Sequence, residues 1–256
     1  MDTTEAYANS AFIPGGESYP GRWAAAAGAF RARVPPQVLA YGAGPRERVD
    51  LFRPEGAPLG LVVFVHGGYW MQGDRSLWSH LAAGPLAAGW AVAVPEYDLC
   101  PAVDIAGITA RVARAVEVAA AEVAGPLRLT GHSAGGHLVA RLGCADVALA
   151  VRGRVARIVP ISPLADLAPL MFAAMNATLR IDAATARAES PMRHPAPACP
   201  VTVWVGGAER PAFLDQARWL GQAWGCPVEV DPGRHHFDVI EGLEQAGSPL
   251  TRALLG

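Results

Sequence analysis

Residues 127–136 read LRLTGHSAGG, and this stretch decides the fold of the chain. Its first four residues, Leu127 to Thr130, are predicted to form a short strand of a parallel sheet. The glycine-rich turn Gly131-His132-Ser133-Ala134-Gly135 follows at once, and the apolar stretch that begins at His137 predicts a helix. A strand, a sharp turn and a helix in this order expose a serine hydroxyl above the edge of a sheet, and the glycines avoid collisions with neighbouring backbone. The stretch therefore predicts that Ser133 is a nucleophile.

The rest of the chain alternates between short apolar runs and helical patterns. Seven further runs predict strands, at 38–41, 48–52, 61–65, 91–94, 158–161, 201–205 and 228–230. Helical patterns lie between them at 77–88, 105–124, 137–144 and 211–224. The alternation predicts one α/β domain over residues 1–256, with a mostly parallel, eight-stranded sheet flanked by helices.

One interval between two predicted strands is long, and it covers residues 163–200. It carries apolar residues at helical spacing, namely Leu164, Leu167, Leu170, Met171 and Met175. Because long connections in compact domains often serve as lids, the interval predicts a small helical cap over the site.

Composition excludes several classes of protein. The net charge is −2, and all 21 basic residues are arginine, so nothing favours binding to nucleic acid or to an anionic membrane. The four cysteines are widely spaced and form no CxxC pair, which argues against a disulfide framework and a zinc site. The N-terminal MDTTEAYANS lacks the basic and apolar parts of a signal peptide, and no long apolar window follows. We expect a cytoplasmic protein without metal or cofactor, which acts on a small molecule, and a homodimer is the default oligomer.

A second loop stands where an oxyanion hole is expected. His66-Gly67-Gly68-Tyr69-Trp70 follows the predicted strand 61–65, and small residues there let the backbone approach a reacting carbonyl group. We predict backbone N–H donors from Ala134 and from either Gly68 or Tyr69. Losing one such donor typically lowers the rate by about a hundred- to a thousandfold. His66 lies too early in the chain to be the base and is expected to shape the loop.

The order serine, acid, histidine, which is usual in the α/β-hydrolase fold, selects the other catalytic candidates. His235 and His236 follow the last predicted strand, and we favour His236 as the base, with His235 as the alternative. Glu209 is the first carboxylate after the strand 201–205, and Asp215 is its alternative. Such a triad predicts a serine hydrolase that works through an acyl-enzyme, with the acid orienting the imidazole.

Four motifs together resemble the kynurenine formamidase (arylformamidase) branch of the α/β hydrolases. They are HGGYW at 66–70, YDLCP at 97–101, GHSAGGH at 131–137 and His236-Phe237, and the segment 6–23 is similar as well. The resemblance implies an aryl formamide substrate, N-formylkynurenine, which this family deformylates in tryptophan breakdown. It also implies Ser133 as nucleophile, His236 as base and Glu209 as acid.

The chain departs from the family pattern at three places. Glu209 stands where aspartate is more usual, Glu96 where a neutral residue is expected, and Ser162-Pro163 where Ser-Gly is expected. Tyr69 and Trp70 are predicted to line a pocket for a flat aromatic substrate. No particular arginine is singled out as the partner of a substrate carboxylate.

Two other functions compete with the formamidase. A general carboxylesterase for short-chain or aryl esters would use the same catalytic groups. A non-catalytic binding protein could share the fold.

Overall fold

The computed structural model describes residues 2–256 of the chain. Eight strands form one sheet in the order β1-β2-β4-β3-β5-β6-β7-β8. The pairs of β1 with β2 and of β2 with β4 are antiparallel, and the other pairs are parallel. The predicted mostly parallel, eight-stranded sheet is thereby confirmed. The strands are β1 Gln37–Ala40, β2 Arg48–Phe52, β3 Leu61–Val65, β4 Ala91–Pro95, β5 Leu127–His132, β6 Val155–Ile161, β7 Val203–Gly206 and β8 Val228–Asp231.

Helices cover both faces of the sheet. The α-helices are α1 Tyr19–Arg33, α2 Ala83–Ala87, α3 Ile105–Glu122, α4 Ala134–Gly143, α5 Asn176–Leu179, α6 Ala183–Glu189, α7 Pro211–Trp224 and α8 Pro249–Leu255. The predicted helix 211–224 has the observed bounds of α7. The region predicted as a helix over 77–88 is a 3₁₀ helix, Arg75–Ala82, that runs into α2.

The core consists of two apolar layers that the sheet separates. Leu61, Val63 and Val65 of β3 face one layer, and Val62 and Phe64 face the other, as the two-residue period of a strand requires. The first layer includes residues of α3, α4 and α7, and the second includes residues of α1 and α8. All five residues of β3 are buried, so a strand covered on both faces reads as a continuous apolar run.

The interval 163–200 does not form the continuous amphipathic helix that its spacing predicts between Leu164 and Met175. It contains a 3₁₀ helix, Ala168–Phe172, then α5, α6 and a final 3₁₀ helix, Pro191–Arg193. Proline at the start of both 3₁₀ helices removes backbone donors and favours short turns. Leu164, Leu167 and Leu170 are fully buried in the first core layer.

The N-terminal segment carries structure that the helical patterns do not predict. Three 3₁₀ turns, Glu5–Tyr7, Ser10–Phe12 and Gly16–Ser18, precede α1. Hydrogen bonds tie this segment to the interval described above, from Thr3 N to Phe172 O and from Ala174 N to Thr4 Oγ1. Among residues 2–256, none of the helices combines the length and the apolar character that crossing a bilayer requires.

Candidate active site

Ser133 stands at a sharp bend between β5 and α4. Its φ is 57° and its ψ is −118°, a conformation that residues other than glycine rarely adopt. The two flanking glycines have a steric reason, because a Cβ at Gly131 would overlap the carbonyl oxygen of Gly135, and one at Gly135 would overlap that of Val65. The bend therefore presents the Ser133 side chain at the carboxyl edge of the sheet, where it lines a cavity.

The loop after β3 passes directly against this bend. A Cβ at Gly67 would lie 2.8 Å from His132 O and 3.1 Å from the Ser133 Cβ. Gly68 has φ 111° and Tyr69 has φ 51°, and both residues line the cavity. In the described part of the chain, the N–H groups of Gly68, Tyr69 and Ala134 donate no hydrogen bond. Gly68 and Tyr69 line the cavity beside Ser133, and Ala134 follows Ser133 directly in the chain.

His66 supports the loop from behind, as expected. Its ring stacks on Tyr97 at 4.4 Å between centroids, and its Nδ1 lies 2.7 Å from Gly67 O. Because the carbonyl oxygen only accepts, Nδ1 carries the proton. Burial lowers the pKa of His66 to about 4, so the imidazole is neutral near pH 7.

His236 and Glu209 form a buried hydrogen-bonded pair. His236 Nδ1 donates to Glu209 Oε2 at 2.6 Å, and both side chains are almost fully excluded from solvent. The other carboxylate oxygen, Oε1, accepts from Ser162 Oγ at 2.5 Å and from Gly206 N at 2.8 Å. Both oxygens of Glu209 are therefore fixed, and the imidazole is left with Nε2 facing away from the acid.

The alternative candidates for base and acid have other partners in the structure. His235 Nδ1 accepts from Phe237 N and Asp238 N, and its Nε2 lies 3.1 Å from the Tyr19 hydroxyl, so both ring nitrogens have partners. Asp215 pairs with Arg218 on an exposed face of α7. Neither residue takes part in the His236–Glu209 pair.

Two rings hold His236 in place. Phe213 of α7 lies 4.2 Å from it between centroids, and His132 lies 4.6 Å from it. Burial holds the pKa of His132 well below its usual value, so this second imidazole stays neutral beside His236. His236 and Ser133 line the same cavity but form no hydrogen bond with each other. Such bonds are often long before substrate binds.

Glu96, one of the departures from the family pattern, belongs to an ion-pair network behind the loop. It pairs with Arg75 and, at 3.1 Å, with Arg46, while Arg75 also binds the fully buried Asp50 at 2.8 Å. Arg46 donates to Gly73 O at 2.6 Å and so connects the network to the loop. The acidic residue at position 96 thus has cationic partners that compensate its burial.

The cavity has a volume of about 650 Å³, within the range of about 300–1,000 Å³ for pockets that enclose small organic ligands. One wall is aromatic and consists of Trp23, Trp78 and Phe237, with Trp23 lying 4.7 Å from Trp78 between ring centroids. Much of the remaining wall comes from the N-terminal segment. Of the interval 163–200, Met175 alone reaches the cavity wall.

The two predicted aromatic contacts of the substrate differ in their placement. Tyr69 lines the cavity, and its hydroxyl donates to Tyr7 O. Trp70 does not line it: the side chain is fully buried and packs edge-on against His137 at 5.0 Å. The prediction that Trp70 lines the pocket is wrong, because its side chain packs in the first core layer. Trp23 and Trp78 supply the aromatic surface instead, and only the position of Trp23 in the family-like segment 6–23 hinted at it.

A second group of polar residues meets away from this cavity. Ligand atoms of Cys144, Asp146 and His194 lie within 4.8 Å of one another. Arg141 donates to both carboxylate oxygens of Asp146, at 3.1 and 2.8 Å. A guanidinium in this position repels a metal ion, so the group does not fit a metal site.

Comparisons with known proteins bear on the family and the fold of the chain. No family model matches the chain. Kynurenine formamidase from Drosophila melanogaster is 30% identical over 243 residues, which cover 84% of this chain and 79% of that protein. A solved structure from Silicibacter sp. TM1040, provisionally assigned as a thioesterase, is 51% identical and covers 100% of both chains with a TM-score of 0.97. Esterase B from Lactobacillus rhamnosis shares the fold, with a TM-score of 0.67 at 19% identity over 93% of this chain and 91% of its own. The predicted resemblance is confirmed, and the chain belongs to the kynurenine formamidase family of α/β hydrolases.

Proposed function

We propose that the chain is a serine hydrolase that deformylates an aryl formamide, with N-formylkynurenine as its substrate and kynurenine and formate as products. The observation that carries the proposal is the His236–Glu209 pair, whose 2.6 Å hydrogen bond lies beside a cavity that also contains Ser133.

In this mechanism the Ser133 hydroxyl attacks the formyl carbon while His236 Nε2 accepts its proton. Glu209 stabilises the imidazolium that forms and keeps the ring in the required tautomer. The buried position of the acid favours this role, because its carboxylate is shielded from water and bound through both oxygens.

The negative charge on the formyl oxygen requires donors that are already in place. The N–H groups of Ala134, Gly68 and Tyr69 support this role, since they donate no hydrogen bond elsewhere in the described chain. The imidazolium then gives its proton to the aryl amine, which leaves. Water hydrolyses the formyl-enzyme with His236 again as the base.

The aromatic wall of Trp23, Trp78 and Phe237 supports an aryl leaving group. The name of the Drosophila relative points to the same substrate class. The cavity volume of about 650 Å³ leaves room for a substituted aromatic ring.

The decisive experiment measures N-formylkynurenine hydrolysis by the purified wild type and by Ser133→Ala, together with p-nitrophenyl acetate hydrolysis. We expect formamide hydrolysis by the wild type and a loss of at least about a thousandfold in the variant. Strong ester hydrolysis without any formamidase activity would refute the formamide assignment and leave a carboxylesterase.

A fluorophosphonate probe separates an enzyme from a binding protein. It reacts with an activated serine, so we expect labelling of Ser133 in the folded protein and none in Ser133→Ala. A folded wild type that resists the probe would favour the non-catalytic alternative. The provisional assignment of the Silicibacter protein makes an aryl thioester a useful third substrate in the same assay.

A further inference from the structure

The loop that follows β3 contains two consecutive residues in the left-handed region of the backbone. Tyr69 has φ 51° and Trp70 has φ 57°. A residue with a Cβ is disfavoured in this region and stays there only where contacts with the surrounding structure hold it. The proposed oxyanion donors, the N–H groups of Gly68 and Tyr69, belong to the same loop. The contacts that hold the two residues therefore also set the position of these donors.

Trp70 is held by the core of the domain. Its side chain is fully buried and packs edge-on against His137, at 5.0 Å between ring centroids. Its carbonyl oxygen accepts a hydrogen bond from Cys100 N at 2.8 Å. These contacts fix the end of the loop that lies farther from the oxyanion donors.

Tyr69 is held by the N-terminal segment instead. Its hydroxyl donates to Tyr7 O and accepts from Asn9 Nδ2 at 2.8 Å, so it lies between two residues that are 62 and 60 positions away in the chain. In the described residues, the side chain of Tyr69 makes no other hydrogen bond. The segment that forms much of the cavity wall is thus connected to an oxyanion donor.

The N-terminal segment is itself anchored on α7. The Tyr7 hydroxyl accepts from Nε2 of Gln216, a fully buried residue of this helix, at 2.8 Å. The Tyr7 ring also packs edge-on against Phe213 at 5.8 Å, and Phe213 lies 4.2 Å from His236 between ring centroids. One helix therefore supports both the proposed base and the residue that accepts the Tyr69 proton.

Asn9 keeps its contact with Tyr69 at a cost in stability. Because the Tyr69 proton is used in the bond to Tyr7 O, the hydroxyl oxygen can only accept from Asn9, which must present its amide nitrogen. The Oδ1 of Asn9 is then buried without a hydrogen-bond partner in the described chain, which is destabilising. An apolar side chain of similar shape would avoid this, so an asparagine at position 9 suits the holding of Tyr69 better than the stabilisation of the fold.

We propose that Asn9 and the Tyr69 hydroxyl are positioning groups for the oxyanion hole. They hold the backbone of Tyr69 so that its N–H and that of Gly68 stay directed at the oxygen on which charge develops. Donors that are in place before the reaction need no rearrangement in the transition state. The inference rests on the proposed acyl transfer to Ser133, but it does not depend on the formamide substrate.

Tyr69→Phe and Asn9→Leu test this inference. Both keep the backbone N–H groups and remove hydrogen bonds of the Tyr69 hydroxyl. A displacement of about 1 Å can cost about a hundredfold in rate, so we expect kcat for an aryl acetate to fall about 10- to 100-fold in Tyr69→Phe and about 3- to 10-fold in Asn9→Leu. KM should change by less than about threefold, because the affected interaction is made in the transition state.

An aryl trifluoromethyl ketone supplies a readout that a loss of stability alone would not change. Ser133 adds to its carbonyl carbon, and the oxyanion that forms occupies the oxyanion hole as in the transition state. In both variants Ki for this ketone should rise by the same factor by which kcat/KM falls. Circular dichroism verifies that each variant is folded.

The double variant and a matched control complete the series. Because Asn9 acts through Tyr69, Asn9→Leu should add little in the Tyr69→Phe background. The control is Tyr41→Phe, which also removes a buried tyrosine hydroxyl; this hydroxyl donates to Glu96 O at 2.6 Å and lies outside the cavity wall. The control should keep the wild-type kcat and Ki.

Wild-type kcat and Ki in Tyr69→Phe would overturn the inference. A raised KM with an unchanged kcat would also overturn it, since the N-terminal segment would then only bind the substrate. Failure of the proposed function looks different. If the wild type hydrolyses the aryl acetate but not N-formylkynurenine, the formamidase proposal fails, and the variants still decide the inference. If the wild type hydrolyses N-formylkynurenine and the variants match it, the opposite holds.

Discussion

Ser162→Ala tests whether Glu209, the proposed catalytic acid, needs the hydrogen bond that Ser162 donates to it. Ser162 follows β6 with a φ of 47°, its hydroxyl is fully buried, and it donates to Glu209 Oε1 at 2.5 Å. It does not line the cavity. The substitution removes this one hydrogen bond and leaves the bond from Gly206 N in place. Glu209 then gains freedom to turn away from His236.

The expected size of the effect follows from the charge of the acceptor. A buried hydrogen bond to a charged group contributes about 1.5–3 kcal/mol, which corresponds to about 10- to 150-fold in rate. Because the Gly206 N–H remains, we expect the lower part of this range, about 10- to 50-fold in kcat. KM should stay within about twofold, since Ser162 does not contact the substrate.

The assay is steady-state hydrolysis of an aryl acetate by four proteins: wild type, Ser162→Ala, Glu209→Gln and the double variant. If Ser162 acts through Glu209, Ser162→Ala lowers kcat in the wild type and adds little in the Glu209→Gln background. The downfield resonance of the His236 Nδ1 proton should also shift in Ser162→Ala. Equal losses in both backgrounds, or a kcat within twofold of the wild type, would refute the reasoning.

Ser190→Ala is the control for a missing buried hydroxyl. Ser190 is also fully buried, but its Oγ bonds to Ala186 O and Leu167 N, away from the acid. The Ser190→Ala variant should be less stable than the wild type, but its kcat should be unchanged.

Three further predictions concern stability and the loop. Gly135→Ala places a Cβ on the Val65 carbonyl oxygen and should lower the free energy of unfolding by about 2 kcal/mol or more. Gly153→Ala is the control, because a Cβ there meets open space and should leave the free energy of unfolding unchanged. Equal denaturation midpoints for the two variants would contradict the prediction. Tyr69→Phe removes two hydrogen bonds to the N-terminal segment and should speed amide hydrogen exchange there, and unchanged exchange would show that the segment is held by other contacts. Burial lowers the pKa of His137 from 6.5 to about 3 in the folded protein. Below pH 6.5 the unfolded chain therefore binds a proton at His137 that the folded protein does not, and the free energy of unfolding decreases as the pH falls. The free energy of unfolding should be at least about 2 kcal/mol smaller at pH 5 than at pH 7 by denaturant titration, and a flat profile would contradict the buried neutral imidazole.

The sequence predicted those parts of the molecule in which local signals and fold rules agree. Residues 127–136 contain strand, turn and helix signals in direct succession, and the structure places β5, Ser133 and α4 accordingly. The chain order of serine, acid and histidine then restricted the candidates to few positions. Glu209 follows β7 and His236 follows β8, and these two strands are parallel neighbours. Because parallel strands end at the same edge of the sheet, the two residues lie close enough to pair.

Contacts between distant segments could not be predicted in this way. The N-terminal wall shows no hydrophobic period, and hydrogen bonds between residues 60 or more positions apart hold part of it in place. Trp70 and Trp78 look equivalent in a sequence, and only the backbone dihedrals and packing of their segments decide which one faces the cavity. Glu96 looked anomalous because Arg46 and Arg75 are far from it in the chain.

The backbone at Ser133 carries a consequence for engineering. A φ of 57° with a ψ of −118° costs a residue with a Cβ about 1–3 kcal/mol, and glycine adopts it without this cost. Ser133→Gly is therefore expected to raise the melting temperature of this protein while it removes the proposed nucleophile. Selection of variants for thermostability alone would favour an inactive chain at this position, so any such screen must also score turnover.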